Sequence, residues 1–148
     1  MPKPRVLEAE QAREGLRRGM DLIADVVGVT LGPLGGLVVN EVFGRSEPEL
    51  LTDGATIARR IIELPDRGEN VGAMLLRHMV WHMRQEMGDG SVTTAVLAQA
   101  ILREAHRCIV AGANPMMIRR GMERALQAAV QALREMAVPI EGEEQIAA

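Results

Sequence analysis

The spacing of apolar residues along the chain predicts mostly helices. Between Glu8 and Gly28, apolar side chains recur every three or four residues, so that Leu16, Met20, Ile23 and Val27 share one helix face. A similar stripe of Met122, Leu126, Ala129 and Leu133 follows an expected cap at Asn114–Pro115 and runs until Pro139. Further helices are predicted over Ala55–Glu63, Asn70–Met87 and Ser91–Ala111. The chain is therefore expected to be mainly α.

Two segments depart from simple amphipathic helices. Leu37–Phe43 is rich in β-branched residues, and a polar turn separates it from the apolar pair Leu50 and Leu51, which predicts one small β-hairpin. Asn70–Met87 is apolar almost all round, a pattern typical of a helix buried on several sides. Pro65 is expected to stop the helix that precedes it.

A glycine-rich turn before the Ser91–Ala111 helix carries the most informative chemistry. Asp89 lies between Gly88 and Gly90, and hydroxyl residues follow. The first amides of a helix lack internal partners and carry partial positive charge, and glycines let the backbone approach an anion closely. Asp89 adds the hard oxygen ligand that Mg²⁺ prefers. This pattern indicates a phosphate and metal site, with a plain turn and helix cap as the alternative.

Two further glycine-containing loops lie at predicted helix ends. VTLGPLGG, at Val29–Gly36, follows the first helix, and LTDG, at Leu51–Gly54, precedes the next. We expect the three loops to form one pocket. Asp53 is placed to cap the Ala55–Glu63 helix.

Composition narrows the functional classes. A chain of 148 residues is long enough for one domain with a real core. Its net charge is −3, its arginines are spread among acidic residues, and Phe43 and Trp81 are its aromatic residues, so nucleic acid is not an expected partner. Cys108 has no partner for a disulfide within the chain. Without a leader pattern or a membrane-length apolar window, a cytoplasmic protein with no membrane contact is expected.

Six motifs in order resemble the GroEL family of group I chaperonins: VTLGPLG, TDGATIARRIIE, ENVGAMLLR, GDGSVTTAVLAQAI, AGANPMMIRRGMERA and AVPIEGEEQIAA. The resemblance covers nearly the whole chain and concerns the N-terminal part of the equatorial, nucleotide-binding domain. It implies a helix bundle of the equatorial-domain type with one small β-hairpin. Residues 1–136 would belong to that domain, and residues 137–148 would begin the connection to the intermediate domain.

The resemblance also implies a ligand, partners and site residues. ATP and magnesium are the expected cofactors, with Asp89 as the metal contact and Asp53 helping to orient water for hydrolysis. Expected partners are copies of this chain or other chaperonin subunits, and client polypeptides would bind only through an apical domain that these residues do not include. The isolated chain is expected to be inactive as an ATPase. The residues implied to line the nucleotide are Thr30, Leu31, Gly32, Pro33, Asp89, Gly90, Ser91, Val92 and Thr93.

Departures from the family pattern leave the function open. Val92 replaces the usual middle threonine, and Leu34 and Thr52 stand where lysines are usual. One hypothesis is an ATP-binding equatorial segment of a chaperonin that assists protein folding; the other is a truncated or diverged helical oligomerisation module without nucleotide chemistry. A third and weak option is a metal enzyme using His78 and His82, but chance pairing explains their spacing better, because the sequence places no third ligand nearby.

Overall fold

A computed structural model of the chain describes residues 6–41, 44, 47–140 and 142. These residues form five helices and one two-stranded antiparallel sheet, which confirms the predicted mainly α fold with a small hairpin. The elements in chain order are α1 (Ala9–Gly28), β1 (Val38–Asn40), β2 (Glu49–Leu51), α2 (Gly54–Arg60), α3 (Arg67–Met87), α4 (Ser91–Val110) and α5 (Pro115–Met136).

The chain divides into two compact units, Met1–His106 and Arg107–Ala148, with the division inside α4. The core of the first unit forms where α1 packs along α3, with α2 against both. The predicted apolar face of α1 is confirmed, because Met20, Ile23 and Val27 are buried. The largest fully buried side chains are Ile23, Val27, Ile57, Leu76 and Val80.

The predicted hairpin is confirmed but its first strand is short. Val38 pairs with Leu51 and Asn40 with Glu49 in antiparallel register. The prediction placed the strand over Leu37–Phe43, and its last residue, Phe43, lies outside the described residues. The Asn40 side-chain amide donates to the Glu49 carboxylate at 3.2 Å, and Arg60 forms an ion pair with the same carboxylate. The Asn40 bond joins the two strands, and the Arg60 ion pair fastens the hairpin to α2.

Helix α2 is shorter than the predicted Ala55–Glu63 because tertiary hydrogen bonds occupy the backbone beyond Arg60. Ile61 is extended, and its carbonyl accepts from Arg77 Nη1 at 3.4 Å. The Leu64 N–H donates to Asn70 Oδ1 at 2.9 Å. The helix has already ended before Pro65, so that proline is not its stop.

The prediction that α3 is buried on several sides is wrong for this chain. Gly72, Ala73, Leu76 and Val80 are buried, but other apolar side chains of α3 stay exposed: Val71, Leu75, Met79 and Met87. Only the face toward α1 and α2 is covered within the described residues.

Helix α5 belongs to the second unit and begins as predicted. Asn114 Oδ1 accepts from the Met116 N–H at 2.8 Å, and Pro115 is the first helical residue. The helix ends at Met136, before Pro139, and its residues include none that is buried.

Candidate functional site

Three helix ends meet around the backbone of Gly54, the first residue of α2. A Cβ placed on Gly54 would lie 2.7 Å from Val92 Cγ2 and 2.9 Å from Val27 Cγ1. Val27 is in the last turn of α1, and Val92 is in the first turn of α4. The end of α1 and the starts of α2 and α4 are therefore in direct contact, and the second and third glycine loops are brought together.

Asp53 precedes α2 and caps it, as predicted. Its Oδ2 accepts hydrogen bonds from the Thr56 N–H at 3.0 Å and the Thr56 hydroxyl at 2.6 Å. Its Oδ1 lies 3.6 Å from Arg84 Nη1. Burial raises the pKa of Asp53, but the two Thr56 hydrogen bonds and the Arg84 charge outweigh that effect and hold the pKa below its ordinary value. Asp53 is consequently an ionised carboxylate at neutral pH.

The turn from Gly88 to Gly90 presents Asp89 to solvent. Gly88 and Gly90 have φ of +77° and +79°, in the left-handed region that favours glycine. Asp89 Oδ1 accepts from the Gly90 N–H at 2.6 Å. Because α4 begins at Ser91, Gly90 is the capping position, and it has no side chain with which to bond the first helical amides. Asp89 itself lies one residue too early to be that cap.

The first residues of α4 differ sharply in their surroundings. Ser91 is buried, with 5% of its surface exposed, and its Oγ has no hydrogen-bond partner among the residues that the structure describes. The Val92 side chain packs toward Gly54 and Val27. Its backbone N–H, and not its side chain, is therefore the group that a ligand at the site could contact. Thr93 is exposed.

The first loop is held to the end of α1. The Thr30 hydroxyl donates to the Val27 carbonyl at 2.8 Å, and the Gly36 N–H donates to the Val29 carbonyl at 2.7 Å. Gly32 has φ of +88° and open space where a Cβ would be. Leu31, Pro33 and Leu34 are exposed. The hydrogen bonds described for this loop lie within it or run to α1, so they do not tie Thr30, Leu31, Gly32 or Pro33 to the other two loops.

Arg84 is a site residue that the sequence did not reveal. It lies in the last turn of α3, and its Nη1 donates to the Gly88 carbonyl at 3.0 Å while lying 3.6 Å from Asp53 Oδ1. A basic residue in a last helical turn predicts a bond to a nearby carbonyl. The contact with Asp53 has no signal in the sequence, because the two residues are far apart along the chain.

Among the described residues, the fold brings no third metal-ligating side chain to the pair His78 and His82. His78 and His82 are exposed and line a surface depression of about 730 Å³ together with Met79 and Met83. Within the described residues, no three His, Cys, Asp or Glu side chains are grouped to hold a metal ion. No helix in that part of the chain combines the length and apolarity needed to cross a membrane.

The fold and the loops define a helical protein with glycine turns and carboxylates gathered at helix ends. The family model described as the TCP-1/cpn60 chaperonin family matches residues 23–148, a stretch that includes all three loops. The chain therefore belongs to the TCP-1/cpn60 chaperonin family, which confirms the resemblance found in the sequence and supports a chaperonin-type role.

Proposed function

We propose that this chain is the ATP-binding equatorial segment of a chaperonin and that a magnesium nucleotide binds at the start of α4. The observation that carries the proposal is the buried Ser91 hydroxyl without a partner among the described residues. Leaving a buried polar group unpaired costs about 1–3 kcal/mol. A phosphate oxygen at this helix end would accept from the first amides of α4, and a change of the Ser91 side-chain rotamer toward it would give the hydroxyl its missing partner.

The remaining residues suit the same ligand. Asp89 is exposed, and its Oδ1 accepts from the Gly90 N–H, which leaves Oδ2 to hold Mg²⁺. Magnesium, when bound, would neutralise phosphate charge. Asp53 is ionised, and Arg84 links it to the Gly88 turn. This charge and position suit Asp53 to orient water. Gly32 offers backbone with no side chain in the way.

Family membership supports a proposal for the larger setting of the site. We place residues 1–136 in the equatorial domain and residues 137–148 at the start of the intermediate-domain connection. The proposed partners are further copies of the chain or other chaperonin subunits, in the cytoplasm. We expect the isolated chain to hydrolyse ATP negligibly, because Asp53 alone does not build a water-excluded site.

A second candidate function is a helical oligomerisation module without nucleotide chemistry. It is favoured by loop positions that have no group to bind phosphate. Leu34 is apolar and 97% exposed, and the Val92 side chain is apolar and packs against the protein. The apolar residues that α3 exposes would serve such a module as a contact surface.

Calorimetric titration of the full chain with Mg·ADP and Mg·ATP separates the two functions. Ser91→Ala should weaken binding while keeping or raising the stability of the free chain, because it removes an unsatisfied buried hydroxyl. Asp89→Asn should weaken magnesium-dependent binding about tenfold or more. Glu86→Gln, which removes an exposed charge from the same end of α3, is the matched control and should bind like the parent.

The opposite results are equally clear. If the parent chain binds no nucleotide, the oligomerisation module is the better description. If Asp89→Asn and Glu86→Gln bind alike, Asp89 is not the metal ligand. If Ser91→Ala binds like the parent, phosphate does not use the buried hydroxyl.

A further inference from the structure

We infer that Arg84 is a phosphate-binding residue of the nucleotide site, an inference that rests on the proposed function. Its guanidinium bridges Asp53 and the Gly88–Gly90 turn, and it supplies the positive charge that a nucleoside polyphosphate requires there.

The bridge is built by one nitrogen. Arg84 Nη1 donates to the Gly88 carbonyl at 3.0 Å and lies 3.6 Å from Asp53 Oδ1. Among the described residues, both of these contacts use Nη1, which leaves Nε and Nη2 as donors for an anion. The side chain is 47% exposed, so a ligand can reach it.

The charge balance of the three loops calls for such a residue. Val29–Gly36, Leu51–Gly54 and Gly88–Thr93 contain no lysine or arginine, and they contribute the carboxylates of Asp53 and Asp89. Mg²⁺ held by Asp89 would offset the charge of that carboxylate, but a phosphate chain beside the second carboxylate, Asp53, is repelled unless another cation lies close by. Arg84 reaches one of these carboxylates and the turn that carries the other. A guanidinium also matches phosphate geometry through paired donors.

A purely structural role is the alternative explanation. An arginine in the last turn of a helix stabilises the free carbonyls and the dipole of that helix. Arg103 provides a control of similar exposure, 48%, that likewise joins two groups: its Nε is 2.8 Å from Asp21, and its Nη2 is 3.6 Å from Asp25. Loss of either arginine removes an exposed ion pair of similar kind, but only Arg84 lies at the candidate site.

The test compares Arg84→Gln, Arg84→Lys and Arg103→Gln in the full chain. Mg·ADP affinity is measured by calorimetry, and the thermal midpoint is measured without ligand. Arg84→Gln is expected to weaken Mg·ADP binding about tenfold, whereas Arg103→Gln keeps the parent's affinity. Both glutamine variants should show similarly small changes in thermal midpoint. Arg84→Lys keeps the charge and should lose less affinity than Arg84→Gln.

The outcomes distinguish this inference from the function on which it rests. A parent chain that binds no Mg·ADP overturns both. A parent that binds, with Arg84→Gln unchanged or matched by Arg103→Gln, overturns the role of Arg84 and leaves the proposed function standing. Equal losses in Arg84→Lys and Arg84→Gln overturn the assignment of Arg84 as the required cation.

Discussion

Gly54→Ala is the sharpest test of the junction that brings the loops together. The added Cβ would lie 2.7 Å from Val92 Cγ2 and 2.9 Å from Val27 Cγ1, closer than carbon atoms pack. Both neighbours are short, stiff side chains, and Val27 is fully buried, so the start of α4 must move away from α2. Overpacking of this kind costs about 1–3 kcal/mol. For a chain of this length, that cost lowers the thermal midpoint by about 2–4 °C for each kcal/mol.

A double-mutant cycle isolates the contact. Val92→Ala removes the nearer clashing methyl and by itself should cost about 1 kcal/mol, since Val92 is only half-buried. Adding it to Gly54→Ala should restore part of the loss, because it removes the nearest clash and leaves that with Val27 Cγ1 at 2.9 Å. Gly28→Ala is the control at the same junction, because its Cβ would meet Val96 Cγ2 at an ordinary 3.6 Å.

The free energies of unfolding in the cycle are measured by urea titration, monitored both by Trp81 fluorescence and by helical circular dichroism. Trp81 is the single tryptophan, and Arg59 stacks over its ring at 4.1 Å, so the fluorescence reports the packing of α2 on α3. We expect a favourable coupling of about 1 kcal/mol or more between the two substitutions, and a Gly28→Ala variant close to the parent. Additivity within about 0.5 kcal/mol would refute the contact between the start of α2 and the start of α4.

Two further predictions concern the stability of α1. The hydrogen bond from Arg17 lowers the pKa of Glu14 to about 2, so its stabilising effect is present above about pH 4.5 and is lost as the pH falls toward 2. Glu14→Gln should cost up to about 1 kcal/mol at pH 6 and about half of that or less at pH 3 in urea titrations; an equal loss at both values would contradict this. Gly19→Ala would drive its Cβ into the backbone of Glu69 and should cost about 3 kcal/mol or more by circular dichroism, whereas Gly121→Ala, in open space on α5, should be neutral or stabilising. Similar stabilities for these two alanine variants would disprove the close approach of α1 to α3.

Local patterns were sufficient for much of the fold. The apolar face of α1, the hairpin, and the caps at Asp53 and Asn114 each depend on residues a few positions apart, and the structure confirms all of them. Such short-range signals fix where elements begin because they act on the backbone of their own segment.

The candidate site was predictable only in its loops. Glycines and carboxylates at helix ends indicated the loops that carry Asp53 and Asp89, and the structure joins these second and third loops through Gly54. The Arg84 bridge and the inward packing of Val92 were not predictable, because each is set by a neighbour from a distant part of the chain. The early end of α2 has the same origin, since the Arg77 and Asn70 side chains take its backbone groups.

Helix α3 shows why hydrophobicity alone could not identify its buried face. Its exposed residues Val71, Leu75 and Met79 are as apolar as the buried ones, so the pattern predicted burial all round. What marks the packed face is the pair of small residues Gly72 and Ala73, which are buried one helical turn before Leu76 on the same side of the helix. Backbone atoms of α1 and α3 approach so closely that a Cβ on Gly72 would collide with Leu16, and Ala73 is completely buried beside it. Small residues let the helices meet and so select the face that packs within this chain, with Leu76 and Val80 buried on that face, while Val71, Leu75 and Met79 remain exposed on the other side of the helix.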